Sequence, residues 1–213
     1  MTPTPRNPSA TRPTVLLAAL LAAASLLAGC APLVVGGAMV GTALSVTDRR
    51  TTGIQLEDQA IELKAVSRVR DAVGERGHVN TTSFNRTVLI TGEVASEADR
   101  SAVEQAVSRI ENVRGTVNEL AVAGASSLAA RSNDAILTSK VKASMIDAAD
   151  LQANAIKVVA ERSVVYLMGR VTEREADRAT ALARGVGGVA KVVRVFELIS
   201  EAELAAMQPA PKK

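Results

Sequence analysis

Few side chains in this sequence of 213 residues could do covalent or metal chemistry. Cys30 is the only cysteine and His78 is the only histidine. A lone imidazole has no second histidine or thiolate nearby in sequence to complete a metal site or a nucleophile–base pair. No carboxylate stands in a His-Glu-x-x-His pattern or a calcium loop. The sequence therefore predicts no catalytic residue, no metal site and no cofactor, and it places His78 on the surface at a helix-to-strand boundary.

Cys30 lies where a different chemistry is expected. It ends the motif Leu27-Ala28-Gly29-Cys30, which follows an arginine-bearing leader and an apolar run over residues 15–24. This is the organisation of a signal peptide, and the motif resembles the lipobox of bacterial lipoproteins. The resemblance implies cleavage after residue 29 and a diacylglycerol on the Cys30 sulfur. A membrane-spanning helix is the alternative, but the apolar run is shorter than the roughly 20 residues that a span needs.

The residue after the cysteine indicates where the anchor is held. Ala31 stands where many Gram-negative lipoproteins of the inner membrane carry a retention aspartate. Several acyl chains, each buried at about 0.8 kcal/mol per methylene, hold a protein firmly to a bilayer. We therefore expect a lipid-anchored protein of the outer membrane that faces the periplasm. The apolar, glycine-rich residues 33–46 could lie along the bilayer or pack on a domain.

An internal repeat sets the expected domain organisation. The matched positions are Glu97–Arg100 with Glu175–Arg178, Gly92 with Gly169, and Ala60-Ile61 with Ala135-Ile136, at offsets of 78, 77 and 75 residues. Tandem copies of one fold explain such a series. We interpret the two strand glycines as points of close backbone approach, with a ligand role as the alternative.

Within each copy the hydrophobic period changes in the same order. The first copy is predicted as helix 57–73, strands 79–84 and 87–94, helix 97–111 and strand 116–122, and the second as helix 134–148, strands 155–160 and 163–171, helix 174–186 and strand 190–199. The expected core stripes are Val66, Val69 and Val73 in the first helix, and Ala98, Ala102, Ala106 and Ile110, with Val103 and Val107 beside them, in the next. Asn85-Arg86 is predicted to be a hairpin turn.

The order α-β-β-α-β, together with the strand Val165–Val171 and the acidic helix start after it, resembles the BON domain. With the lipobox, the chain resembles the dual-BON outer-membrane lipoproteins. The resemblance implies an α+β fold in which each domain has a three-stranded sheet with two helices on one face. It also implies a role in envelope integrity through binding of anionic phospholipid. The expected segments are linker 30–56, domain 57–123, linker 124–132, domain 133–200 and a disordered tail 201–213.

The two copies carry opposite charge. Residues 57–123 hold eight basic and eleven acidic side chains, and residues 131–199 hold eleven basic and eight acidic ones, so the domains are near −3 and +3. Anionic lipid attracts basic groups by about 1 kcal/mol each at the surface, which favours the second domain for membrane contact. Only three aromatic residues are present, Phe84, Tyr166 and Phe196. That is too few for a base-stacking platform, so nucleic acid is not an expected partner.

The helix predicted over 134–148 is the candidate lipid contact. Leu137, Val141, Met145 and Ala148 form its expected core stripe, and Ile146 falls nearly opposite. At an offset of 75, Ile146 corresponds to Asp71, so an acidic residue is replaced by an apolar one. The candidate lipid-binding residues are Ile136, Lys140, Lys142, Ile146 and Leu151. Relatives tend to carry an aromatic at the position of Ile136, which implies weaker interfacial binding in this chain.

A protein-interaction role is the alternative function. The acidic first domain could dock on a protein of the envelope-assembly or cell-division machinery, and an exposed edge strand could accept a strand from that partner. The two roles are compatible, because one domain could serve each.

Overall fold

The computed structural model describes residues 48–207. The predicted signal peptide of residues 1–29, the predicted lipidation site Cys30, the segment 33–46 and residues 208–213 lie outside the described residues. No helix within residues 48–207 has the length and apolar character needed to cross a membrane.

The first repeat forms two helices and a small mixed sheet. Its elements are α1 (Thr52–Val73), β1 (Gly77–Phe84), β2 (Thr87–Val94), α2 (Glu97–Ser108), β3 (Gly115–Asn118) and β4 (Ala121–Val122). Strand β1 is antiparallel to β2, and β3 and β4 both run parallel to β2 on its other side. The predicted strand 116–122 is thus interrupted at residues 119–120, where Leu120 turns into the core.

The second repeat has the same order with a continuous last strand. Its elements are α3 (Leu128–Ile146), β5 (Ile156–Glu161), β6 (Val164–Val171), α4 (Glu173–Gly185) and β7 (Lys191–Leu198), followed by α5 (Glu201–Met207). Strand β5 is antiparallel to β6, and β6 is parallel to β7. The predicted α+β fold with two tandem α-β-β-α-β units is confirmed.

Two helices begin earlier than predicted because local caps extend them, and part of the predicted disordered tail is helical. Thr51 accepts a hydrogen bond from the Ile54 N–H and Ser127 accepts one from the Ala130 N–H, so α1 and α3 begin inside the predicted linkers. In the predicted disordered tail, residues 201–207 are helical. Ser200 caps that helix, and Leu204 is buried.

One face of each sheet packs on its own helices. In the first domain Ile61, Ala65, Val69 and Val73 of α1 join Val88, Ile90 and Val94 of β2 in one core. Two predicted stripes are partly wrong. Val66 is exposed, and α2 buries Val103 and Val107 in place of the alanines. The stripe predicted for the first helix of the second domain is confirmed as buried; it consists of Leu137, Val141 and Met145 of α3 and Ala148 just after it.

A buried aspartate in the first helix of each repeat holds the hairpin turn. Asp58 accepts hydrogen bonds from the backbone N–H groups of Asn85 and Arg86, both at 2.8 Å. Asp134 accepts from the corresponding N–H groups of Arg162 and Ser163, both at 2.9 Å. All four turn residues have positive φ, as a two-residue type I′ hairpin requires. The turn predicted at Asn85-Arg86 is therefore confirmed.

The two strand glycines allow neighbouring strands to approach closely. A Cβ on Gly92, whose φ is +113°, would lie 2.0 Å from the carbonyl oxygen of His78. A Cβ on Gly169 would lie 2.5 Å from the carbonyl oxygen of Ala155. Both distances are far below contact distance, which confirms the interpretation as close backbone approach.

The remaining faces of the two sheets pack against each other. Phe84 and Leu89 of the first domain form a cluster with Tyr166 and Met168 of the second, surrounded by valines of both sheets. Burial raises the pKa of Tyr166 to about 12, with the charges of Glu119 and Glu161 acting in the same direction. The sheets thus share an apolar interface, and the helices lie on its two outer sides.

Residues 48–50, which precede α1, contact both domains. Arg50 binds Asp58 at 2.8 Å and stacks 4.1 Å from the centre of the Phe84 ring. Arg49 binds both carboxylate oxygens of Glu175 at 2.7 Å and the carbonyl oxygen of Arg170 at 2.8 Å. The chain therefore enters the folded region at the boundary between the domains.

Candidate functional site

The exposed side of α3 carries three of the five predicted lipid-binding residues. Ile136 and Ile146 are 53% and 62% exposed, and Lys140 is also exposed. At about 100° and 1.5 Å per residue, the two isoleucines lie about 80° apart around the helix and about 15 Å apart along it. They flank the middle of the face that points away from the core.

The other two predicted residues are turned inward, and their assignment to the lipid surface is wrong. Leu151 packs in the core of the second domain with Met145 and Ala148. Lys142 donates hydrogen bonds to the carbonyl oxygens of Ala153 at 2.5 Å and Ile156 at 2.9 Å. Burial lowers the pKa of Lys142. Its ammonium group holds the loop between α3 and β5 and is not free for a headgroup.

The buried positions establish how the two repeats correspond. Asp58 and Asp134 hold equivalent turns, Ile61 and Leu137 occupy equivalent core positions, and each pair is 76 residues apart. The offset of 75 taken from Ala60-Ile61 is therefore wrong by one residue for these helices. With the correct offset Ile146 corresponds to Arg70, so the comparison with Asp71 is also wrong.

The corrected register reveals a difference between the domains at one lysine. Lys64 in α1 forms an ion pair with Glu111 at 3.4 Å. The equivalent residues in the second domain are Lys140 and Gly187, which line the same shallow depression. Lys140 has no ion-pair partner among residues 48–207. The second domain therefore keeps the cation and lacks the carboxylate that neutralises it in the first.

Two further cations stand at the ends of the elements that the Gly187 loop connects, and sequence reasoning missed them. Arg184 is in the last turn of α4 and Lys191 is the first residue of β7, so they flank the loop that contains Gly187. Both are exposed, and neither forms an ion pair with any residue of the described range. Ser163 and Asn133 add polar groups to the lining, and Ile136 adds an apolar edge. We refer to Ile136, Lys140, Arg184, Gly187 and Lys191 as the α3 basic surface.

His78 is not on the open surface, contrary to the sequence prediction. Its side chain is 24% exposed, and its Nδ1 atom lies 3.4 Å from a carboxylate oxygen of Glu93.

Comparison with known proteins identifies the family. The BON domain model matches residues 57–124 and 133–200. The chain belongs to the BON-domain family. It is 36% identical over 185 residues to outer membrane lipoprotein DolP of Haemophilus influenzae, a match that covers 86% of this chain and 95% of that protein. It is therefore a dual-BON lipoprotein of the DolP type, located at the outer membrane.

Two more distant matches add little. The chain is 27% identical over 154 residues to a 21 kDa hemolysin of Actinobacillus pleuropneumoniae, which covers 71% of this chain and 79% of that protein. A solved structure of CdsD, a structural protein of the type III secretion system of Chlamydia trachomatis, aligns with 70% of this chain and 99% of its own at 10% identity, with a TM-score of 0.28. No argument rests on that likeness.

Proposed function

We propose that this lipoprotein binds anionic phospholipid headgroups with its second BON domain and thereby supports the integrity of the envelope. The observation that carries the proposal is the unpaired Lys140 beside Gly187, at the place where the first domain pairs Lys64 with Glu111. A headgroup phosphate would supply the missing negative charge. The proposed role is binding, and it requires no catalytic residue.

The α3 basic surface offers both parts of a membrane contact. Lys140, Arg184 and Lys191 would each contribute about 1 kcal/mol of attraction to an anionic surface. Ile136 projects from the same edge and would enter the headgroup region as apolar groups of interfacial helices do. Ile146 lies farther along α3 and would touch the bilayer only if the helix lay nearly flat on it.

The lipid anchor makes a weak contact of this kind sufficient. Once Cys30 is in the bilayer, the second contact becomes intramolecular and is governed by an effective concentration set by the tether. A single aliphatic side chain in place of the aromatic that the family resemblance implies would then still support membrane binding.

A single substitution tests the proposal without disturbing the fold. Gly187→Glu restores the carboxylate of the first domain, and a Cβ at this position meets nothing within 4 Å. We expect it to abolish the salt-sensitive binding of non-acylated residues 42–213 to phosphatidylglycerol liposomes in a sedimentation assay. Lys140→Gln should weaken binding several-fold, because one cation is lost, and Ile136→Glu should also weaken it.

The matched control is Lys64→Gln, which removes the same charge from the equivalent position of the first domain. It should bind like the wild-type protein. Equal binding by Lys64→Gln, Lys140→Gln and Gly187→Glu would exclude this surface. Ile146→Glu tests the orientation of α3. It should weaken binding only if the whole helix lies on the bilayer, because only in that orientation does residue 146 touch lipid.

A protein-binding role of the first domain is the second candidate. Strand β1 is an edge strand, and a groove between it and α1 is bordered by Leu63 and Val66, which are 75% and 57% exposed. An edge strand beside an apolar helix face can accept a partner strand. Photo-crosslinking from position 63 in cells should then capture one defined envelope protein, and Gly187→Glu should not change that product. Absence of a defined product would remove this candidate.

A further inference from the structure

Three side chains of metal-ligating type meet where the two domains join. His78 is near the start of β1, Glu93 is near the end of β2, and Glu161 ends β5 of the other domain. One ligand atom of each side chain lies within 4.8 Å of the other two. Sequence reasoning missed this group because one of its members comes from the second domain.

The group is unusual because its two carboxylates and the imidazole Nδ1 atom are buried. Glu93 and Glu161 are 1% and 6% exposed, and the Nδ1 atom of His78 is buried without a hydrogen-bond partner. Apart from His78 itself, the only basic side chain within 4 Å of either carboxylate among residues 48–207 is Arg162, which lies 3.5 Å from Glu93 and is 46% exposed. Two adjacent buried carboxylates are costly unless a positive charge lies between them.

We propose that His78, Glu93 and Glu161 bind a divalent transition-metal ion, and that zinc fits best. Zinc takes imidazole nitrogen and carboxylate oxygen ligands at 2.0–2.2 Å, so tetrahedral ligand atoms are about 3.4 Å apart. His78 Nδ1 and the nearest Glu93 oxygen are separated by 3.4 Å. The Glu161 ligand atom lies within 4.8 Å of both, so ligation would require it to move closer, and water would complete the tetrahedron.

The surroundings supply a supporting shell and a way in. Asn80 donates a hydrogen bond to Glu161 at 2.8 Å, and the Ser126 N–H donates one to Glu93 at 3.2 Å. Such second-shell contacts orient metal-binding carboxylates. A cleft lined by Gly77, Glu93 and Ala125 opens from solvent onto Glu93, one member of the group, and would give an ion access.

The proposed ion would link the two domains. Two of its ligands come from the first domain and one from the second, so a bound ion opposes separation of the sheets. The corresponding repeat positions are Ala155, Arg170 and Phe84, which cannot bind a metal. The site therefore exists once per chain and belongs to the pair of domains.

The test uses the mature lipidated chain in detergent, purified without a histidine tag and stripped with a chelator. Equilibrium dialysis against zinc sulfate should give one zinc per chain for the wild type. His78→Ala and Glu161→Gln should each weaken binding by more than about tenfold. Glu62→Gln is the matched control, because Glu62 is another carboxylate of the domain boundary, 3.0 Å from Lys157, and it should bind zinc like the wild type.

His78 also provides a readout that needs no variant. As the only histidine, it gives a single set of imidazole signals in an NMR spectrum of the wild-type protein, and zinc should shift that set in proportion to occupancy. Magnesium should not, because it prefers oxygen ligands. Absence of stoichiometric binding, unchanged imidazole signals, or equal zinc binding by His78→Ala would each overturn the proposal.

Discussion

At the scale of single residues, Asp58 and Asp134 do for the hairpins what a cap does for a helix. Each supplies two acceptors to backbone N–H groups of a turn whose residues have positive φ. Positive φ is unfavourable for side chains such as those of Arg162 and Ser163. The carboxylate stabilises that conformation and also ties the helix to the hairpin.

Asp134→Ala tests this role. We expect it to lower the free energy of unfolding by about 1–3 kcal/mol, because the turn N–H groups lose their acceptors. Urea unfolding followed by circular dichroism measures the change. Asp150→Ala is the control, since its exposed pair with Arg178 contributes about 1 kcal/mol or less. Equal losses in the two variants would contradict the role.

The sequence predicted correctly which candidate residues on the regular part of α3 are exposed, but it failed for the residues that contact the loop after α3. Ile136, Lys140 and Ile146 are exposed as expected, but Lys142 and Leu151 are drawn inward by the loop after α3. No periodicity describes that loop, because its carbonyl groups need a donor that only the folded structure supplies. The unpaired state of Lys140 could have been found from the sequence with the correct repeat offset.

At the scale of elements, the hydrophobic period and the internal repeat were sufficient to predict the order α-β-β-α-β. They were insufficient to align α1 with α3 residue by residue, because the match of Ala60-Ile61 with Ala135-Ile136 is too short to exclude a shift of one residue. Such a shift rotates a helix by about 100°. The buried pair Ile61 and Leu137 resolves it, and burial is a property of the packed structure.

The start of α4 depends on a contact from outside its own domain. Glu175 forms a capping box with Thr172 and also binds Arg49. Burial alone would raise the pKa of Glu175, but the hydrogen bonds from Arg49 and from the Thr172 N–H outweigh it and hold the pKa below its ordinary value. Glu175 therefore stabilises the fold above the unfolded-state pKa, and this contribution is lost as the pH falls through the lower, folded-state value.

Arg49→Gln should reduce this contribution. We expect lower stability at neutral pH and a smaller further loss between neutral pH and the folded-state pKa of Glu175, because one of the hydrogen bonds that depresses that pKa is gone. Thermal unfolding at a series of pH values measures both effects. Arg194→Gln, which removes an exposed partner of Glu173 on the same helix, should leave the slope with pH unchanged. An unchanged slope in Arg49→Gln as well would contradict the assignment.

At the scale of the whole molecule, the face-to-face packing of the sheets is the main feature that the sequence analysis did not predict. A signal was present, because Val88-Leu89-Ile90 and Val164–Met168 are unbroken apolar runs, which indicate strands buried on both faces. The helices account for one face only. The other face of each sheet also had to be buried, and nothing in the sequence of one repeat specifies that the sheet of the second repeat packs on it.

Met168→Asp should separate the unfolding of the two domains. Met168 is 1% exposed in the shared cluster, and a carboxylate there has no partner, so we expect a loss of more than about 3 kcal/mol. Differential scanning calorimetry should change from one transition to two, with faster proteolysis near residues 123–127. Leu198→Asp, at a site 54% exposed, should keep a single transition. One transition in both variants would show that the interface does not couple the domains.

If Cys30 carries the lipid anchor that the sequence predicts, the contacts of Arg49 and Arg50 determine where mechanical load from the membrane enters the protein. The 18 residue spacings between Cys30 and Asp48 can extend to at most about 65 Å. A pull through this tether reaches Glu175 of one domain and Asp58 of the other before it reaches the first turn of α1. Tension on the tether would therefore be shared between the two domains, and we expect it to load their boundary before it unwinds the end of α1.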